Sequence, residues 1–246
     1  TFVNKTGIAV SLTDSMEDSA VAERLKRFQE LQYVRVGLTL KADCVAVKDT
    51  LHDKNKFVSL IEKVKAAGIN NLVLMSEDPE MQAAALSACK ELRPLIYAAC
   101  NGNGEAFGKL AKEYSCPLAV KGKNLDEVAE RTAQLTAMGI KDLVIDTGSR
   151  QLSQAFQDQV AVRRLALLNK FRPLGFPTIV FPCEMTEDPL KEALIAATFI
   201  AKYGGILVLS DITGHSLFPL LVQRMNIYTD PQRPMATTEG IYEINN

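Results

Sequence analysis

The chain has 246 residues, of which 47% are hydrophobic and 23% charged, and its net charge is −1. That length suits one large α/β domain, and (β/α) barrels are typically about 250 residues long. The near-zero charge gives no electrostatic footprint for DNA, RNA or an anionic membrane, no apolar run approaches the ~18 residues of a membrane span, and no secretory signal pattern is present.

Taken in order, Gly7 to Thr13 (GIAVSLT) is the first apolar run, ending at Asp14. Asp18 is placed to cap a helix through about Leu31, with Val21, Leu25 and Phe28 on one face. Two extended runs follow closely, Tyr33 to Leu40 and Asp43 to Val47. The second is taken as barrel strand two and the first as irregular or an extra edge strand. Phe57, Leu60, Ile61 and Val64 give the next helix, which Gly68 stops. Leu72 to Met75 is strand three. Pro79 suits a first helical position, and that helix is expected to reach about Leu92. Leu95 to Cys100 is strand four, followed by the loop Asn101-Gly102-Asn103-Gly104 and a helix through Tyr114.

Leu118 to Lys121 is strand five. Asn124, with Glu127 three residues on, has the form of a capping box. Leu125, Val128, Thr132 and Leu135 then fall on one buried stripe, and Gly139 ends the helix. Leu143, Val144 and Ile145 form a run without alternation, as in a parallel strand covered on both faces. Asp146 and Thr147 close it. Leu152 to Lys170 reads as a long helix and Pro177 to Pro182 as strand seven, ending at Cys183 and Glu184. A helix from Pro189 to Tyr203, a strand from Ile206 to Ser210 and a helix from Gly214 to Tyr228 complete the series.

Three joints resemble one another: AAGINNLVLM (66–75), AMGIKDLVID (137–146) and KYGGILVLSD (202–211). Eight strands alternating with eight helices predict a closed (β/α)8 TIM barrel over residues 1–230. No G-x-G-x-x-G follows the first strand, which argues against a dinucleotide-binding open sheet. From Asp230 onward the sequence DPQRPMATTEGIYEINN has no helical period and reads as an extended linker. The chain begins at Thr1 rather than Met, so a longer parent protein is expected.

In such a barrel, chemistry sits at the carboxyl ends of the strands. The sequence places Asp14, Lys48, Asp49, Ser76, Glu77, Asn101, Lys121, Lys123, Asp146, Thr147, Glu184 and Asp211 there. Polar residues also begin every surface loop, so position alone does not make a site. Asp146 and Asp211 stand out because each terminates a strongly apolar strand. Either could act as a ligand-binding acid or accept backbone N–H bonds in the next loop. Of Lys121 and Lys123, which alternate, only one should point into the barrel. An inward lysine could form a Schiff base or hold a phosphate, with a salt bridge as the alternative. His215, in DITGHS, could face the mouth from the last loop or bond locally. Cys44, Cys89, Cys100, Cys116 and Cys183 contain no C-x-x-C pair, so a metal site within the chain is not expected and a reducing cytoplasm is. No catalytic set is assigned.

Several segments carry a family resemblance: KTGIAVSLTD (5–14), LKADCVAVKD (40–49), LAVKGKNLDE (118–127), DLVIDTGSR (142–150) and above all TDPQRPMATTEGIYEI (229–244). They resemble the large (gamma) subunit of the corrinoid iron–sulfur protein of the acetyl-CoA synthase/decarbonylase system. The resemblance implies a central TIM barrel, with 231–246 leading to a corrinoid-binding domain and a [4Fe–4S] cluster on a further domain. No cluster or corrinoid ligand maps onto this chain, and the D-x-H-x-x-G pattern that places a histidine on cobalt is not present. It also implies methyl transfer from methyltetrahydrofolate, by way of its methyltransferase, to acetyl-CoA synthase, and a heterodimer with a small subunit that is itself a TIM barrel. The expected role of this barrel is scaffold and interface. Asn101, Asp146, Asp211 and His215 are the residues placed to touch a cofactor. The barrel is also similar in fold to pterin-binding methyltransferases, which hold the pterin with Asp and Asn at strand ends. A free-standing pterin-dependent methyltransferase or a lysine aldolase is therefore the alternative.

Overall fold

The structure is a computed structural model and describes residues 4–228. The expected linker, 231–246, lies outside the described residues.

Eight parallel strands form one sheet: β1 (Gly7–Thr13), β4 (Cys44–Lys48), β5 (Leu72–Met75), β6 (Leu95–Ala99), β7 (Leu118–Lys121), β8 (Leu143–Asp146), β9 (Ile179–Val180) and β10 (Ile206–Leu209). Their spatial order is β8-β7-β6-β5-β4-β1-β10-β9. A parallel bridge between Ile145 and Thr178 joins the two ends, with Ile145 N donating to Pro177 O at 2.8 Å, so the sheet curls into a nearly closed barrel. Helices α1 (Asp18–Glu30), α2 (Lys54–Ala66), α3 (Pro79–Cys89), α4 (Gly104–Glu113), α5 (Leu125–Ala137), α6 (Leu152–Leu167), α7 (Pro189–Ala201) and α8 (Gly214–Tyr228) surround it.

Strand seven is shorter than the sequence suggests, two residues rather than six. Pro177 and Pro182 bound it, and proline has no N–H to give a ladder. The helix expected to reach Leu92 ends at Cys89 in a 3-10 turn, and the one expected to reach Lys170 ends at Leu167. Asp18 is the first residue inside α1 rather than its cap. The cap is Glu17, whose side chain makes no capping bond. Asn124 does cap α5, accepting from Glu127 N at 2.9 Å, while Glu127 reaches back to Lys123 N at 3.2 Å.

The run 33–40 resolves into an antiparallel hairpin, β2 (Gln32–Arg35) and β3 (Leu38–Lys41), outside the barrel. Val36 and Gly37 both take positive φ at its tip, as a two-residue primed turn demands. Of the three similar joints, two turn on a left-handed glycine, Gly68 and Gly139. In the third, Tyr203 takes that conformation instead. Gly205 serves there for closeness, because a Cβ would lie 2.7 Å from Thr178 O.

Side chains alternate along each strand. One set faces the helices. The other fills the barrel and includes Ala9, Ala46, Val73, Ala119, Val144 and Val208. Three alanines in that set leave room for two aromatics, Tyr97 and Phe181, which meet edge to face at 5.3 Å near the carboxyl ends. At the opposite end Arg224, buried on α8, donates to Thr6 O at 2.8 Å and Lys41 O at 3.0 Å and pairs with Asp43. This ties the first strand, the hairpin and the last helix together.

Candidate functional site: the barrel mouth

The inward positions at the strand ends are Lys48, Met75, Tyr97, Lys121 and Asp146, with Phe181 just beyond β9. Of these, Lys48, Met75, Tyr97 and Lys121 line a cavity of about 420 Å3, together with His52, Glu77, Gly148, Arg150 and Glu184. Asp146 is 1% exposed and bonds to three of the lining residues. Tyr97 Oη donates to Asp146 Oδ2 at 2.7 Å, and Gly148 N donates to Oδ1 at 2.8 Å. Arg150 grips the same carboxylate through both terminal nitrogens, at 3.0 and 2.8 Å. Its Nε donates to Glu184 Oε2 at 2.5 Å, and Lys48 Nζ donates to Glu184 Oε1 at 2.7 Å. The guanidinium also lies 4.5 Å over the Phe181 ring. Cation–π and bidentate contacts together fix its plane.

The chain Tyr97–Asp146–Arg150–Glu184–Lys48 is thus continuous, and Arg150 Nη2 also donates to Tyr97 Oη at 3.3 Å. Burial pushes the Tyr97 hydroxyl well above its ordinary value, and the adjacent Asp146 charge adds to this. Burial opposes the Arg150 charge, but the hydrogen bonds and charge of Asp146 outweigh it and raise the pKa. Burial would likewise raise Glu184, yet Lys48 and Arg150 hold it below its ordinary value. On the far side of the cavity Lys121 Nζ donates to Glu77 Oε1 at 2.6 Å. Lys121 is thus the inward lysine, while Lys123 is exposed. A lysine engaged with a carboxylate at that distance is not arranged as a free amine nucleophile. The thiol pKa of Cys183, beside this network, is pushed up to about 12 by burial, and that of Cys100 is also raised, so neither is an activated thiolate.

Of the four residues expected to touch a cofactor, only Asp146 is in the mouth. Asn101 lines a separate depression between α4 and α5, with Glu105 and Arg131. Asp211 faces α1, where Arg27 Nη2 donates to it at 2.7 Å and Arg24 Nε lies at 3.4 Å. His215 is exposed on the first turn of α8, with Nε2 3.2 Å from Thr213 Oγ1. Asp14 and Asp49 order loops: Asp14 accepts from Thr50 N at 2.8 Å, and Asp49 accepts from Ser76 Oγ at 2.8 Å. Tyr97 and Arg150 are mouth residues that the sequence did not single out. Tyr97 sits within an apolar strand. Arg150 lies four residues after Asp146, an ion-pair spacing visible in DTGSR.

Among the described residues, no three His, Cys, Asp or Glu side chains converge so as to hold a metal ion. Likewise, no helix among them is long and apolar enough to cross a membrane.

A family model for the CO dehydrogenase/acetyl-CoA synthase delta subunit matches residues 1–246. The chain belongs to this family. It is 37% identical over 243 residues to the corrinoid/iron–sulfur protein large subunit of Moorella thermoacetica, covering 99% of this chain and 54% of that protein. It is 33% identical to the acetyl-CoA decarbonylase/synthase complex subunit gamma of Archaeoglobus fulgidus, covering 100% of this chain and 54% of that one. The chain thus spans about half the length of these relatives. Among solved structures, the dihydropteroate synthase of Thermus thermophilus matches with a TM-score of 0.60 at 16% identity, covering 92% of this chain and 94% of that one. At that identity the shared feature is the barrel fold.

Proposed function

We propose that this chain is the barrel domain of a corrinoid iron–sulfur methyl-carrier subunit. That subunit accepts a methyl group from methyltetrahydrofolate and delivers it to acetyl-CoA synthase, and the barrel serves it as scaffold and subunit interface. The observation that carries the reading is the 37% identity to a corrinoid/iron–sulfur large subunit, maintained over 99% of the chain. The mouth supports the scaffold role, because its charged side chains are engaged with one another. The partners are a small subunit, a methyltetrahydrofolate methyltransferase and acetyl-CoA synthase. The family model is described for the delta subunit while the curated relatives are gamma subunits. The pair is therefore read as two related barrels.

Neither cofactor fits the barrel mouth. An iron–sulfur cluster needs converging thiolates, and none converge here. A cavity of about 420 Å3 is near the small end of ligand pockets, and a corrin with its peripheral amide chains is larger than the ligands such pockets take. Both groups are assigned to other parts of the parent protein, and no step is derived through them.

The test is anaerobic purification of the full-length protein, followed by its visible spectrum and transfer of labelled methyl from methyltetrahydrofolate in the presence of the methyltransferase. Corrinoid and iron–sulfur bands are expected, with transfer unchanged in Lys121→Met. A colourless protein would overturn the reading. So would tight methyltetrahydrofolate binding by the barrel, lost in Asp146→Asn. Borohydride trapping of a substrate on Lys121 would favour the aldolase alternative.

A further inference from the structure

A second cavity opens at the end of the barrel opposite the mouth. It lies at the amino ends of the strands, where Gly7 begins β1, Thr178 precedes β9 and Ile206 begins β10, and its volume is about 780 Å3. That size falls within the range of small-molecule pockets. Helix α6 supplies one wall. Gln159, Arg163 and Ala166 recur at the spacing that sets side chains on one helix face, and all three line the cavity. Val162, Leu174 and Phe176 add apolar surface. Two cations line it, Lys5 and Arg163, and no Asp or Glu does.

The polar groups here are unengaged, unlike those of the mouth. The Arg163 guanidinium lies 4.3 Å over the Tyr203 ring. Such stacking uses the face of the guanidinium and leaves its N–H donors, which lie in the plane, for an acceptor. Among the described residues Arg163 has no hydrogen bond and no carboxylate partner, and neither has Lys5. Gln159 is 3% exposed. Its Oε1 accepts from Thr178 Oγ1 at 2.8 Å, and Thr178 Oγ1 accepts in turn from Gly205 N at 3.4 Å. The amide nitrogen of Gln159 has no partner among the described residues. A buried donor left without an acceptor is rare and costly.

Tyr203 holds a strained backbone. It follows the cap of α7 at the place where Gly68 follows that of α2 and Gly139 that of α5, and like them it is left-handed, with φ +68°. Glycine takes that conformation without steric cost and a tyrosine does not. Strain of this kind persists where the side chain is needed, and the ring it brings is the one that Arg163 covers. Packing at the base of a barrel ordinarily serves stability. It accounts for an arginine lying on a ring. It does not account for a buried free amide and two unpaired cations around one cavity without an acid. We propose that this basal cavity binds a small organic anion, a carboxylate or phosphate on a planar apolar body. Arg163 and Lys5 meet the charge, the Gln159 amide donates to one of its oxygens, and Tyr203 and Phe176 receive the body.

The test is direct binding to the full-length protein, read by calorimetry, with naphthoate, naphthyl phosphate and the neutral naphthalene methanol as probes. One or both anions are expected to bind about 10-fold or more tightly than the alcohol, and the tighter of the two assigns the anionic group. Arg163→Met is expected to weaken anion binding about 10-fold or more, as loss of a hydrogen bond to a charged group does, and to leave the alcohol unchanged. Tyr203→Gly removes the ring and suits the left-handed backbone. It is expected to match the wild type in circular dichroism and melting temperature while it binds all three probes more weakly. Lys121→Met, in the mouth, is expected to bind them as the wild type does. No anion binding at millimolar concentration overturns the proposal. So does equal binding of the three probes, or anion binding that Lys121→Met abolishes and Arg163→Met leaves intact.

Discussion

The barrel mouth and the α7–α8 wall treat charge in opposite ways. The mouth gathers Lys48, Lys121, Arg150, Glu77 and Glu184 around one cavity, with Asp146 buried against Arg150, and each of the six has an ionic partner in the group. The wall turns Glu192 toward Ser210 and Arg224 toward Asp43, and exposes Lys191 beside its leucines. Charges that satisfy one another hold the strand ends in place, whereas apolar side chains such as Phe199 and Leu221 hold the wall.

Breaking the mouth should have the largest effect. Asp146→Ala leaves Arg150 and the Tyr97 hydroxyl facing each other over a buried gap. Loss of one partner of a buried pair costs about 3 kcal/mol, to be read by urea denaturation. Gly148→Ala comes next. Gly148 has φ +77°, and a Cβ there would meet Gly122 O at 2.2 Å. The loop must shift, removing the Gly148 N–H from Asp146, at a cost of roughly 2 kcal/mol. A change of similar size at an exposed wall position would contradict the contrast.

Glu184 gives a pH signature. Its folded pKa lies below the ordinary 4.5, so its ion pairs stabilise fully above the unfolded value and fade as the pH falls through the folded one. Glu184→Gln is expected to lower stability by about 1 kcal/mol at neutral pH, with wild type and variant converging below pH 4.5 in melts across that range. The smallest effect belongs to the wall. Leu194→Glu in the unassembled protein should change stability by no more than about 0.5 kcal/mol, because its side chain is already largely in water.

Much of this architecture is legible in the sequence because parallel strands and helix stops leave local signals. Apolar runs such as LVID and LAVK, and the turns at Gly68 and Gly139, fix most elements within a few residues. The hairpin was less readable, since Val36-Gly37 lacks the Asn-Gly signature of its turn. The site was half legible. Asp146 announced itself as a carboxylate closing a buried strand, and Lys48 and Glu184 stood at strand ends. Tyr97 was hidden because an inward aromatic in LIYAA looks like any core residue. Asp211 has the same local context as Asp146 but a different fate. Its partners, Arg24 and Arg27, lie far off in sequence on α1, and only the closed barrel brings them together.

The most direct test of the contrast is hydrogen–deuterium exchange on the wild-type protein and its Asp146→Ala variant. Faster exchange in the variant at the mouth loops 146–150 and 182–184, with 189–201 and 214–228 unchanged, is the predicted result. Equal acceleration over the mouth loops and the α7–α8 wall, or none at the mouth, would contradict it.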